Sequence, residues 1–255
     1  MKPPVKDLRR PYISTQFHRE LIPRGSVVET FLFYSGQLEF SLTDYERFVL
    51  AHTTRPPLHE FWACINDDAS RVYEILTSDI FKFDNENMFE ILQETWPTYP
   101  NPYVRSALFF LMNVCSEKGL PSSGNLNITN FNKHSLNRLK TYKKPSNLFI
   151  TLDKEQELID SIIETNPTDF LVFPLPSYDY NLFDHGTSVG FEETRVNHTR
   201  LLKKLSAIDK KWIVSYPHHE GAQELYKGFE QIMIDKYGKK TNSAAACEEL
   251  IIVNF

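Results

Sequence analysis

The chain switches between two hydrophobic periods, and the switches mark out its elements. Residues 26–36, SVVETFLFYSG, are apolar and β-branched up to a Ser-Gly break, and ERFVLAH (46–52) is a second short run of the same kind. Both predict buried strands. From residue 58 the spacing lengthens: LHEFWACINDDASRVYEILTSDI and NMFEILQETW repeat apolar residues at helical intervals, and NPYVRSALFFLMNVC opens on Asn-Pro, a good helix start. The middle of the chain is therefore predicted to be helical. Residues 119–147 are polar and predict a loop. From 151 the alternation resumes with a helix over 153–165, the strand DFLVF, a helix near 192–208, the strand KWIVSY, a helix near 220–237 and a last strand, EELIIVNF. Strands alternating with helices predict an α/β fold with a mostly parallel, doubly wound sheet into which the last strand can insert antiparallel.

Composition narrows this picture only a little. A chain of 255 residues with 41% hydrophobic content can bury one sizeable core and carry a smaller inserted subdomain. A net charge of -5 argues against a protein coated in basic charge for nonspecific nucleic-acid binding. Charge matters locally, because 119–147 holds no acidic residue but carries Lys133, His134, Arg138, Lys140, Lys143 and Lys144. Three widely separated cysteines, Cys64, Cys115 and Cys247, form neither a disulfide framework nor a CxxC pair and are expected as free thiols. The first residues lack the apolar core of a signal peptide, and no run approaches the roughly 18 apolar residues of a membrane helix. A soluble, intracellular protein is expected.

The order of these pieces, with NPYVRSALFFLMN before a basic loop and TYKKP, then DFLVFPLPSY, KWIVSYPHHEG and the terminal EELIIVNF, resembles the DNA adenine methyltransferase family. That family methylates the exocyclic amino group of adenine with S-adenosylmethionine and carries an Asp-Pro-Pro-Tyr tetrad. The resemblance spans nearly the whole chain. It implies a Rossmann-like methyltransferase domain at 1–55 and 148–255, and an inserted helical, basic-loop subdomain at 56–147 resembling a DNA-recognition domain.

The family's four working motifs are all altered. PYISTQF (11–17) stands where the resemblance places Trp-Ala-Gly-Gly-Lys. The glycine-rich cofactor loop falls on Phe31-Leu32-Phe33-Tyr34-Ser35-Gly36, so a phenyl group at Phe33 takes volume that the family leaves to the ligand. His52 takes the place of the acidic residue that contacts the cofactor's ribose, leaving no carboxylate expected there. The tetrad becomes Leu175-Pro176-Ser177-Tyr178. Leu175 accepts no hydrogen bond, although Pro176 offers a carbonyl and Tyr178 a ring able to stack on a flipped base. Losing one preorganised polar stabiliser costs roughly a hundred- to a thousand-fold in rate.

Each candidate also has a plainer explanation. Tyr178 reads more readily as an aromatic lid over a filled cavity than as a base platform. The basic residues divide evenly between phosphate contact and a solvated loop or protein interface. His218, His219 and Glu220 do not share a face and lack a further ligand at metal spacing, so no metal is expected. GTSVG (186–190) is not a nucleophile elbow, and there is no P-loop.

Three readings follow. The leading one is a pseudoenzyme that binds no cofactor, retained as a binding, assembly or structural component with a protein partner or self-assembly. Because the family is common in bacteria and their viruses, the resemblance allows either an intracellular or a virion-associated setting. The second is a divergent active adenine methyltransferase using the Pro176 carbonyl, Ser177 and Tyr178, with Glu29 supporting S-adenosylmethionine. The third is a nucleic-acid-binding module acting through Lys133, Arg138, Lys140, Lys143 and Lys144, with affinity that falls steeply with salt.

Overall fold

The computed structural model describes residues 3–7, 13–31, 33–78, 87–116, 119, 126–153, 168–175, 178 and 196–255. Seven strands form one sheet: β1 (Val27–Thr30), β2 (Phe48–Thr53), β3 (Leu148–Leu152), β4 (Phe170–Pro174), β5 (Lys211–Pro217), β6 (Glu230–Asp235) and β7 (Cys247–Val253). Their spatial order is β3-β2-β1-β4-β5-β7-β6. β1 to β5 run parallel, and β7 inserts antiparallel between β5 and β6. This is the mostly parallel sheet with an antiparallel last strand that the alternation predicts. The order reverses between β1 and β4, and a crevice at the carboxyl ends of such a pair is where open α/β sheets place ligands.

Eight α-helices accompany the sheet among the described residues: α1 (Thr15–Leu21), α2 (Gln37–Thr43), α3 (Pro56–Thr77), α4 (Asn87–Thr95), α5 (Pro102–Cys115), α6 (Lys133–Lys140), α7 (His198–Leu205) and α8 (Glu220–Leu225). α5 begins as its sequence suggests: the Asn101 side chain accepts from the Tyr103 and Val104 N–H groups, with Pro102 in the first turn. Every residue from Ser106 to Cys115 is buried, as expected of a helix apolar all round. α3 bends at Asp68 (φ -150°, ψ 88°), whose carboxylate accepts from the Arg71 N–H and so caps the second half.

Several expectations need correcting. The first strand is shorter than 26–36: it stops at Thr30, and the chain turns through Gly36 (φ 76°) into α2. The polar segment is not all loop, because Asn132 and Ser135 form a reciprocal capping box that starts α6. The helix expected over 220–237 ends at Leu225. Residues 230–235 instead form β6, whose burial alternates with the strand period. β3 was not anticipated at all. The helix over 153–165 lies almost wholly outside the described residues.

The two faces of the sheet carry separate cores. On one, Val28, Val49, Ala51, Leu148 and Val172 share a continuous cluster with Phe61 and Trp62 of α3 and Phe109 and Phe110 of α5. On the other, Phe31, Leu171, Phe173 and Trp212 pack with Leu201 and Leu205 of α7. Cys64, Cys115 and Cys247 are buried free thiols. Among the described residues, no helix is long and apolar enough to cross a membrane.

Candidate functional site

The register brings three rings into one row at the reversal point. Thr30 pairs with Ala51 and with Val172, so the next residues, Phe31, His52 and Phe173, lie side by side. The Phe31 ring is stacked on Phe173 at 4.3 Å and 5°, and on His52 at 5.0 Å and 9°. Phe31 is 1% exposed. The ring therefore has an aromatic neighbour on either side in the row, at the start of the segment where a glycine-rich cofactor loop is expected.

The rest of that loop turns into the opposite core. Phe33 packs on Trp62 at 5.3 Å between ring centres, and its N–H donates to the His52 carbonyl at 2.8 Å. Tyr34 is held at both ends: its hydroxyl donates to the Gly119 carbonyl at 2.7 Å, and its own carbonyl accepts from the Trp62 indole at 2.9 Å. Ser35 is buried, and its hydroxyl has no partner among the described residues. Gly36 is required by its positive φ, and a Cβ there would stand 3.3 Å from both Phe33 and Phe40. The glycine's open side thus faces the protein's own rings.

The expectation that no carboxylate stands near His52 is wrong. Its Nε2 lies 3.1 Å from Glu29 Oε1 and its Nδ1 2.7 Å from Asp153 Oδ2, so a carboxylate oxygen faces each ring nitrogen. Thr168 donates to the other Glu29 oxygen, and the Thr151 hydroxyl sits 3.1 Å from Nδ1. Burial alone would lower the His52 pKa, but the hydrogen bonds and charges of Asp153 and Glu29 outweigh it and carry the pKa up to about 9. At neutral pH the group is an imidazolium with both N–H groups donating. Asp153 lies 101 residues from His52, and only the β2–β3 pairing makes them neighbours.

Of the residues that the resemblance places at the tetrad, Pro176 and Ser177 lie outside the described residues. Leu175 is 2% exposed, buried in the α7-side core, with its N–H donating to the Ser215 carbonyl. The Tyr178 ring is stacked on His198 at 4.6 Å and on His219 at 4.8 Å, and Gly221 approaches so closely that a Cβ would lie 2.8 Å from it. A flipped base could stack on Tyr178 only by displacing an imidazole. His198 is itself fixed, with Nδ1 2.9 Å from the Tyr216 hydroxyl and Nε2 3.2 Å from the Tyr178 carbonyl. Burial, first, and the nearby His219 lower its pKa.

The remaining candidates lie elsewhere. In the described part of PYISTQF, Ser14 donates its hydroxyl and its N–H to Glu249 of β7 at 2.6 and 2.8 Å. His219 Nδ1 accepts from the Gly221 N–H, and His218 Nε2 lies 3.2 Å from Gln223 Oε1, so the His-His-Glu stretch serves the start of α8. GTSVG falls outside the described residues. Lys133 and Lys140 are exposed on α6, with the Lys140 ammonium 5.6 Å from the Tyr73 ring centre. Arg138 is half-buried, which pushes its pKa down. Lys143 and Lys144 are exposed on the way into β3. Lys144 lines a cleft of about 490 Å³ between α3 and β3. A second cleft, about 530 Å³, lies at the amino ends of β1, β4 and β5, at the other end of these strands from Phe31 and Phe173.

No protein-family profile matches the chain, and no curated protein does. Among solved structures, it is similar to a TehB-like SAM-dependent methyltransferase from Corynebacterium glutamicum, with 12% identity, 95% of this chain and 86% of that one covered, and a TM-score of 0.41. A SAM-dependent methyltransferase from Aquifex aeolicus aligns at 9% identity over 97% of this chain and 95% of that one, with a TM-score of 0.39. The reversal of strand order between β1 and β4 and the antiparallel β7 make the sheet Rossmann-like.

Proposed function

We propose that this protein keeps a methyltransferase-like fold but does not transfer methyl groups, and serves as a binding, assembly or structural component. The observation that carries this reading is the ring row: Phe31 lies stacked beside His52 and Phe173, leaving no slot for an adenine ring between them. Three further features support it. Phe33 and Tyr34 are core residues, the carboxylates near the crevice are engaged with His52, and a buried leucine replaces the tetrad's acid. These features support the reading that the chain binds no S-adenosylmethionine. The motif order supports reading the chain as a degenerate relative of the DNA adenine methyltransferases.

Titration calorimetry with S-adenosylmethionine tests this directly. No binding heat is expected at millimolar ligand, and a micromolar Kd would overturn the proposal in favour of a divergent enzyme using Glu29. The double variant Leu175→Asp, Phe33→Gly is expected to remain inactive on adenine-containing duplex DNA, because the defects are independent. Recovered methylation would mean that these two substitutions alone separate this chain from an enzyme.

A further inference from the structure

Among the described residues, β3 is an edge strand with an unclaimed side. Val49 donates to the Asn147 carbonyl and Asp153 donates to the Thr53 carbonyl, both at 2.9 Å, so the odd-numbered residues of this segment face β2. Ile150 and Leu152 consequently turn their backbone N–H and C=O groups outward, where they have no partner among the described residues. Proteins usually blunt such an edge with a proline, a bulge or an inward charge. LFITL contains no proline or charge, its pairing with β2 is unbroken, and it leaves Phe149 57% and Leu152 44% exposed.

Along this edge runs the cleft of about 490 Å³, a size within the range of ligand-binding clefts. Its other wall is α3, where His59, Ala63 and Asn66 recur at i, i+4 and i+7. β2 leads directly into α3, so α3 runs back against the strand direction, with Asn66 toward the Leu148 end of β3. Lys144 lines that same end, and Lys143 is exposed beside it. Lys133, Lys143 and Lys144 make no ion pair among the described residues, and Asp67, the acid that lines the cleft, accepts from the Tyr103 hydroxyl.

We propose that the β3–α3 cleft binds an extended segment of a partner protein, which adds to β3 as an antiparallel strand with apolar residues in the cleft and acidic residues at its carboxyl-terminal end. Main-chain pairing to Ile150 and Leu152 supplies affinity, the cleft selects alternate side chains, and the lysines select the acidic end. Antiparallel addition is favoured because its pairing is somewhat stronger per residue, and it brings the partner's carboxyl-terminal residues to Lys143 and Lys144. A second copy is the poorer fit. Pairing antiparallel about a two-fold axis, it would bring its own α3 to the face of the extended sheet where this α3 already stands.

The test is to pan a displayed library of random nonapeptides against the full chain, then measure the enriched peptides by fluorescence anisotropy. Enrichment of alternating apolar residues followed by Asp or Glu is expected. Ile150→Pro removes one outward N–H and leaves the β2 ladder intact, a place where an edge strand tolerates proline. It should weaken binding about tenfold. If that variant fails to fold, N-methylating the peptide amides removes the matching hydrogen bonds from the other side. Lys143→Glu with Lys144→Glu should reverse the preference toward peptides ending in lysine. Absence of enrichment, or enriched peptides indifferent to all these changes, overturns the proposal. A concentration-dependent dimer abolished by Ile150→Pro would assign the edge to a second copy, and displacement of the peptide by duplex DNA would assign the lysines to nucleic acid; either result also overturns it.

Discussion

Raising the pH should loosen this protein through His52. The imidazolium bridges Glu29 and Asp153 with a side chain only 10% exposed, so solvent screens the interaction little. Its pKa stands at about 9 when folded, against about 6.5 for a histidine in the unfolded chain. Below pH 6.5 both states are protonated and the stabilisation is complete. Between 6.5 and 9 the unfolded state loses its proton first, so the contribution falls as pH rises and is gone above 9. At about 1.4 kcal/mol per pH unit, the gap corresponds to about 3 kcal/mol. For a domain of this size that lowers Tm by roughly 6–12 °C. The assay is urea unfolding of the wild type and of His52→Gln from pH 6 to pH 10, with the histidine ring-proton titration followed by NMR. The variant should be less stable at pH 6, because it leaves two carboxylates without their shared cation. The difference between the two proteins should shrink as pH passes from 6.5 to 9. A His52 titration near 6.5, or a difference constant with pH, would refute the reasoning.

Further outcomes follow from other parts of the structure. Burial raises the Glu249 pKa to about 7 despite the Ser14 hydrogen bonds, so its contribution is complete below about 4.5 and is lost as pH rises through 7; Glu249→Gln should therefore flatten the fall in Tm over that window. Phe33→Ala should cost about 3–5 kcal/mol in urea unfolding, because the ring is 1% exposed against Trp62, and calorimetry should show no gain of S-adenosylmethionine binding. Asn132→Ala breaks the box that starts α6 and should cost about 1 kcal/mol, seen as earlier amide exchange in that helix. Gly221→Ala places a methyl group 2.8 Å from Tyr178, so it should lower Tm and shift the His198 and His219 ring-proton resonances stacked on that tyrosine.

How much of this was legible beforehand depends on how local each signal is. FLVFP and KWIVSYP are short apolar runs buried along nearly their whole length, and α3 and α5 hold helical spacing over many turns, so their neighbours in sequence suffice to define them. The leucine at Leu175 and the phenyl group at Phe33 were equally plain, since each is a single residue type. β3 and β6 were not. LFITL is five residues of mixed exposure, and EQIMID alternates only weakly, so each becomes a strand because a neighbour offers backbone partners.

The same division runs through the candidate site. Side-chain chemistry belongs to the sequence: a ring at Phe31, an imidazole at His52, and no acid at Leu175. Which groups meet was decided by tertiary structure alone, through strand register. That register sets Phe31 between His52 and Phe173 and brings Asp153 to an imidazole 101 residues away. Such pairings arise from long-range backbone hydrogen bonds, whose partners leave no trace in the local hydrophobic period.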